Sequence, residues 1–158
     1  MPYVRRAVIF KMNNVKKHIF LLGLVHLSLV SVHANEFYRD DVKDIVIDKK
    51  RNLMWQDDIS VISAEKTYAD SKEYCENLDF ADYKDWYLPT VGELESIVKA
   101  DNYPRSIFKI FKNVASDYYW SSSEHTSEYA WIVLFIYRDV VYYHKTDINY
   151  VRCVRKAQ

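Results

Sequence analysis

One predominantly apolar run stands apart from the mixed pattern of the rest of the chain. It covers residues 19–32, follows a segment at residues 14–18 that carries two lysines and a histidine, and leads into a Val-x-Ala motif at residues 32–34 that suits signal peptidase. Because a membrane-spanning helix needs about 20 apolar residues, this shorter run is typical of a cleavable export signal. We therefore predict a signal peptide over residues 1–34, with Met12 as an alternative start and no membrane span after cleavage. An uncleaved N-terminal anchor is the alternative.

Short strand-like runs follow. Ile45–Asp48 and Leu53–Gln56 flank the polar residues 49–52, which predicts a β-hairpin in which Asn52 adopts the positive φ usual for glycine. Arg138-Asp139 is expected to turn another pair of strands. The runs that make the C-terminal third rich in predicted strands are residues 118–121, 130–135, 140–144 and 151–155.

Apolar positions at helical spacing predict two helices between these strands. The first covers about residues 63–78, with Ser63 as its N-cap and Cys75 on its inward side in the last turn. The second starts with a capping box, because Thr90 can cap the helix and Glu93 stands three residues later. A hairpin, two helices and then strands indicate an α+β fold, with a sheet that carries helices on one side.

Charge and length bound the domain organisation. Beyond residue 34 the chain holds 17 basic and 22 acidic residues, a formal net charge of −5. No long basic run is present to neutralise phosphates, so nucleic acid is not an expected partner. We predict a flexible segment over residues 35–44 and one folded domain over residues 45–158.

The residues that could carry chemistry give no catalytic or metal site. His125 follows the serines at 121–123, but sequence neighbours rarely form a catalytic triad, and no Gly-x-Ser-x-Gly motif is present. Four aspartates lack the spacing of a calcium loop, so we expect them to be solvated and predict no metal or other cofactor. They are Asp40, Asp41, Asp44 and Asp48.

The cysteines and the aromatic residues indicate how the domain is cross-linked and packed. Cys75 and Cys153 are the only two cysteines, and in an exported domain they are most simply a structural disulfide. We assign the four tryptophans to the core because their neighbours are apolar: Trp55, Trp86, Trp120 and Trp131. Alternation along residues 142–144 must turn one face outward, so four tyrosines are candidates for exposure: Tyr129, Tyr137, Tyr142 and Tyr143.

Six segments in order carry a family resemblance: residues 53–56, 74–78, 85–94, 119–123, 130–131 and 151–155. On these the chain resembles the Lcl C-terminal domain family, found at the C-terminus of bacterial collagen-like adhesins and in many exported proteins. The resemblance implies a C-type-lectin-like fold, similar to that of formylglycine-generating enzymes, with two helices packed on a twisted antiparallel sheet. It also implies a disulfide from the first helix to the last strand, here Cys75 to Cys153.

The resemblance and the lack of a catalytic pattern favour an exported, non-enzymatic binding or adhesion domain, in the periplasm, on the cell surface or secreted. Its ligand would be a glycan or a surface protein, held by the loop at residues 122–129 and nearby strand ends. The ligand-binding residues that we predict are His125, Glu128, Tyr129, Arg138 and Lys145. The resemblance also implies sulfated polysaccharide as one ligand and a homotrimer as one assembly, although the net charge of −5 disfavours anionic ligands. The alternatives are an enzyme or maturation factor of the formylglycine-generating type and a purely structural envelope protein.

Overall fold

The computed structural model describes residues 36–99 and 107–157. The predicted signal peptide, its alternative start at Met12 and its cleavage site after Ala34 lie outside the described residues. Within the described ranges, no helix is long and apolar enough to cross a membrane. The same ranges form two β-sheets, two α-helices and one disulfide, which confirms the α+β prediction.

The first sheet has four antiparallel strands in the order β1-β2-β3-β9. They are β1 (Phe37–Asp40), β2 (Ile45–Asp48), β3 (Leu53–Gln56) and β9 (Val154–Lys156). The predicted hairpin is confirmed as β2 and β3, and Asn52 has the expected positive φ of 55°. The last strand is shorter than predicted, because Val154 is its first residue.

The segment expected to be flexible instead contributes the edge strand β1. Phe37 is buried against the rings of Phe108 and Phe111. Arg39 forms ion pairs with three carboxylates, those of Asp41, Asp44 and Asp57. Asp41 and Asp44, which were expected to be solvated, are therefore paired with a cation. Asp48, also expected to be solvated, is fully buried and accepts a hydrogen bond from the backbone N–H of Arg51 at 3.0 Å.

The second sheet has five strands in the order β4-β8-β5-β6-β7. They are β4 (Glu65–Lys66), β5 (Tyr118–Glu124), β6 (Tyr129–Leu134), β7 (Asp139–His144) and β8 (Asn149–Tyr150). The β5, β6 and β7 strands are antiparallel, and β8 runs parallel to β5. Across β6 and β7, Tyr129 faces His144, Trp131 faces Tyr142, and Val133 faces Val140, so these pairs share one face of the sheet.

The first helix, α1, spans Tyr68–Glu76 and begins later than predicted. Its N-cap is Thr67, whose hydroxyl accepts from the N–H of Asp70, so Ser63 is not the cap. Ser63 instead ends a 3₁₀ turn at Ile59–Ile62, and the residues between the turn and the helix pair with β8 as β4. A long-range strand contact therefore takes up the residues that local spacing assigned to the helix.

The second helix, α2, spans Val91–Ser96 and confirms the predicted capping box. The hydroxyl of Thr90 accepts from the N–H of Glu93 at 3.2 Å, and the Glu93 carboxylate accepts from the N–H of Thr90 at 2.9 Å. Leu94 and the following Ile97 are fully buried beside Val133 of β6. Helix α2 is thereby fixed against one end of the β6–β7 face.

The disulfide joins Cys75 of α1 to Cys153, the residue before β9, and both cysteines are fully buried. This confirms the predicted pair. A second buried connection centres on Asp57, which accepts hydrogen bonds from Arg39 and from Arg152, the latter at 2.9 Å. Arg152 also donates to the carbonyl of Gln56 at 2.7 Å, so its buried charge is both paired and hydrogen-bonded.

Candidate functional site

Five aromatic rings lie together on the outer face of the β6–β7 hairpin. This group, the aromatic surface, consists of His125, Tyr129, Trp131, Tyr142 and His144. His125 is the first residue of the β5–β6 connection, and the other four form two cross-strand pairs. None of the five is buried, and Tyr142 is 48% exposed. The prediction that Trp131 lies in the core is therefore wrong, whereas Trp55, Trp86 and Trp120 are core residues as predicted.

The rings support one another in fixed orientations. The His125 ring stacks on Tyr142 at 4.1 Å between centroids, and it meets Trp131 edge-on at 4.9 Å. Tyr129 meets both Tyr142 at 5.7 Å and His144 at 5.3 Å in edge-to-face contacts. Such stacked and edge-to-face arrangements are the ones that aromatic pairs prefer. The surface is therefore an ordered platform of rings with apolar faces and polar edges.

Alternation along β6 explains why these rings are not covered. Ala130 and Ile132 point into the interior packed against α1, so Tyr129, Trp131 and Val133 point to the opposite face. On that face Val133 packs in one buried cluster with Leu94 and Ile97 of α2. The helix covers the Val133 end, and the half that carries Trp131 extends past it.

Hydrogen bonds within the β5–β6 connection hold His125 in place. The N–H of His125 donates to the carbonyl of Tyr129 at 2.9 Å. The hydroxyl of Thr126 accepts from the N–H of Tyr129 at 3.1 Å and from that of Glu128 at 3.2 Å. These hydrogen bonds order the connection in advance, so little further conformational entropy would be lost if it bound a ligand.

Lys145 fastens the same connection to the body of the domain. Its Nζ lies 3.1 Å from the Glu124 carboxylate and donates to the carbonyl of Ser127 at 3.0 Å. The ammonium group beside Glu124 holds the pKa of that carboxyl below its usual range. Tyr68 donates to the same carboxylate at 3.3 Å, and burial, followed by the charge of Glu124, raises the pKa of Tyr68 to about 12. The charge of Lys145 is thus already matched inside the protein.

The serines near His125 have structural partners. Ser121 donates to the carbonyl of Trp131 at 2.6 Å, and the hydroxyl of Ser123 accepts from the N–H of Val91 at 3.1 Å. These bonds join β5 to β6 and to the start of α2. Within the described residues, no group of three or more His, Cys, Asp or Glu side chains is placed to hold a metal ion.

The structure brings four of the five predicted ligand-binding residues to one end of the hairpin. His125 and Tyr129 belong to the aromatic surface, Glu128 is exposed in the adjoining loop, and Lys145 lies at its edge. Arg138 lies at the opposite end, in the β6–β7 turn with φ of 60°, separated by the length of β7, about 20 Å.

Sequence reasoning did not assign Trp131, Tyr142 or His144 to the site, although it named Tyr142 as a candidate for exposure. The signal was present, because Tyr129 and Trp131 stand two residues apart, as do Tyr142 and His144. Residues two apart in a strand share a face, so two aligned pairs make a ring cluster once the strands are paired.

The comparison with known families agrees with this architecture. The family model described as the Lcl C-terminal domain matches residues 44–155, from the residue before β2 into the last strand. No curated protein gives a significant match. Since the match covers well over half of the sequence, the chain belongs to the Lcl C-terminal domain family.

Proposed function

We propose that this domain is an exported, non-enzymatic binding module that recognises glycans through the aromatic surface. The observation that carries the proposal is the set of five ordered rings on one sheet face, none of which is buried. Exposed aromatic clusters of this kind mark interaction sites. The apolar faces of sugar rings stack on aromatic faces, while histidine nitrogens and tyrosine hydroxyls can bond to sugar hydroxyls.

The charges near the aromatic surface favour a neutral glycan over a sulfated one. Lys145 is matched by Glu124, and Arg138 is about 20 Å away at the far end of β7. Glu128 adds an exposed negative charge beside the rings, and Asp147 accepts from the backbone of His144 at 3.1 Å. A sulfate group would therefore meet little positive potential here.

The shape of the site indicates weak individual contacts and a need for several copies. The rings form an open platform rather than an enclosed pocket, so each bound sugar loses only part of its hydration. Linked or densely displayed copies raise the effective affinity without any new contact. A homotrimer, which the family resemblance implies, or dense display on a cell surface would supply them.

Three further parts of the proposal have their own support. The predicted signal peptide and the Cys75–Cys153 disulfide support export, since disulfides persist in oxidising compartments. The C-type-lectin-like assignment of the fold has support from the two helices and the disulfide that ties α1 to the residue before β9. An enzyme of the formylglycine-generating type requires accessible thiols, and the burial of both joined cysteines favours the binding module.

A glycan array probed with the purified protein tests the proposal, with neutral oligosaccharides and sulfated polysaccharides as its two arms. We expect binding in the neutral arm and at least a tenfold loss of it for Trp131→Ala. Tyr137→Ala is the matched control, because Tyr137 is 65% exposed but lies in the turn outside the aromatic surface. Binding confined to sulfated ligands, or equal binding by the two variants, would contradict the assignment, and no binding in either arm would favour a structural envelope role.

A further inference from the structure

A separate cavity of about 260 Å³ opens next to β8. Strand alternation places it apart from the aromatic surface, because Tyr143 lines the cavity while the adjacent Tyr142 points to the aromatic surface. We call it the tyrosine cavity. The side chains that matter for its chemistry are Glu65, Asp117, Tyr118, Tyr143, Asn149 and Tyr150.

The electrostatic character of the tyrosine cavity is negative. Glu65 and Asp117 both line it, and the described residues of its wall include no lysine or arginine. A hydrogen bond to Glu65, then partial burial and the charge of that carboxylate, raise the pKa of Tyr150 to about 12. Two carboxylates without a cationic partner in the wall favour a positively charged ligand.

Besides the carboxylates, the tyrosine cavity presents aromatic faces, which also favour a cation. The rings of Tyr118 and Tyr143 lie 5.0 Å apart and are tilted by 46°, so they form two adjoining walls. The hydrogen bond between their hydroxyls, followed by partial burial, raises the pKa of Tyr118. Electron-rich faces beside carboxylates are the surroundings in which proteins hold ammonium groups.

The side chain of Asn149 gives a separate argument for a bound molecule in the cavity. The residue is 6% exposed, it forms part of the cavity wall, and its Nδ2 has no hydrogen-bond partner within the described residues. A buried amide donor without a partner is uncommon in native proteins. An oxygen acceptor on a bound molecule, such as a hydroxyl, would satisfy it.

We propose that the tyrosine cavity binds an amino alcohol, that is, an organic cation that also carries a hydroxyl group. The ammonium group would lie between the carboxylates of Glu65 and Asp117 and against the tyrosine rings. The hydroxyl oxygen would accept from Asn149. Choline and hexosamines with a free amine share this chemistry. The site does not depend on glycan binding at the aromatic surface.

Calorimetric titration with choline and with glucosamine tests this site and distinguishes the two sources. Tetramethylammonium, which lacks the hydroxyl, should bind more weakly than choline, and N-acetylglucosamine, which lacks the charge, should not bind at the cavity. Glu65→Gln and Asp117→Asn preserve side-chain shape and should each weaken binding about tenfold. Glu128→Gln removes the same charge beside the aromatic surface and should leave the titration unchanged.

Two results would overturn the proposal. One is the absence of binding by both choline and glucosamine at millimolar concentrations. The other is binding that Glu65→Gln and Asp117→Asn leave unchanged. Trp131→Ala separates this proposal from the glycan-binding proposal, because it should weaken glycan binding at least tenfold and leave the cation titration as in the wild type.

Discussion

The two halves of one sheet face, on the same pair of strands, are built from different residues. In the covered half, Val133 and Val140 lie across from each other, and α2 brings Leu94 against them. In the open half, Trp131 and Tyr142 occupy the next matching positions, and neither side chain is buried. Compact aliphatic side chains fill the first half, and large rings with polar edges fill the second.

The difference shows where this face contributes stability and where it offers a surface. Val133 is fully buried, and full burial of an aliphatic side chain stabilises the fold by about 1.5–3 kcal/mol. The open rings cover one another only in part, and Tyr142 remains 48% exposed. Burial alone does not explain rings at these positions, whereas the binding proposed above would.

The largest expected loss comes from the disulfide, which belongs to neither half. Cys75 and Cys153 are 78 positions apart, and chain-entropy arithmetic for so long a loop gives about 4.5 kcal/mol as an upper guide. We expect Cys75→Ala with Cys153→Ala to lower the free energy of unfolding by about 3–4 kcal/mol in urea titrations. Glycan binding by the fraction that stays folded should be unchanged. A loss below about 1 kcal/mol would show that the cross-link contributes little.

Removal of a covering side chain should give the next largest effect. Leu94→Ala deletes a fully buried side chain of α2 and should destabilise the protein by about 2–4 kcal/mol, with glycan binding by folded protein intact. Gly92→Ala is the matched control in the same helix, because the added methyl group meets no atom within 4 Å. That control should be neutral or stabilising, by up to about 1 kcal/mol. Loss of glycan binding in folded Leu94→Ala protein would show that the two halves are not separable.

In the open half we expect the reverse, a small loss of stability together with a large loss of glycan binding. Tyr142→Ala removes the ring on which His125 stacks, yet Tyr142 is half exposed, so we expect a stability loss of only about 1 kcal/mol. Binding of neutral glycans should fall more than tenfold, because the central ring of the platform is gone. Fluorescence titration measures this, since Trp131 is the tryptophan at the site and Trp55, Trp86 and Trp120 are buried. A loss of several kcal/mol with unchanged binding would make this half a structural element.

Elements set by nearby residues were predictable from the sequence, and those set by distant residues were not. The β2–β3 hairpin needs only its turn, and the start of α2 needs only Thr90 and Glu93, so both were found. Strand β1 depends on partners far along the chain: Phe37 packs on Phe111, and Arg39 pairs with Asp57. No local pattern at residues 35–44 contains that information.

The candidate site was also predicted only in part, because some of its features depend on distant residues. Apolar neighbours correctly indicate that Trp131 lies in a strand next to core residues, but they do not say which face of the strand a helix will cover. The separation of Arg138 from Lys145 was already contained in the predicted turn at Arg138-Asp139 and the predicted strand over residues 140–144, and β7 places the two residues at its opposite ends. Composition, by contrast, was sufficient for the disulfide, since only two cysteines were present.

The smallest effect is expected at Lys145, at the edge of the open half, where a substitution tests whether the lysine has a structural role or contacts the ligand. Lys145→Met removes the ammonium group, which lies 5.1 Å from the centroid of the Tyr68 ring, but keeps the hydrocarbon stem. The hydrogen bond and charge of Lys145 lower the pKa of Glu124 from its ordinary 4.5, so the substitution should raise that pKa back toward 4.5, as measured by NMR titration of the carboxyl.

The sign of the stability change follows from that shift. Because the pKa of Glu124 is lower in the folded state than in the unfolded state, the ion pair stabilises the fold above the unfolded value and loses this contribution as pH falls through the folded value. Wild type and Lys145→Met should therefore differ slightly in unfolding midpoint at pH 7 and converge in acid. Because the charge of Lys145 is already matched by Glu124, glycan binding should change less than twofold. A large loss of binding with an unchanged pKa of Glu124 would instead make Lys145 a direct ligand contact and extend the glycan site beyond the five rings.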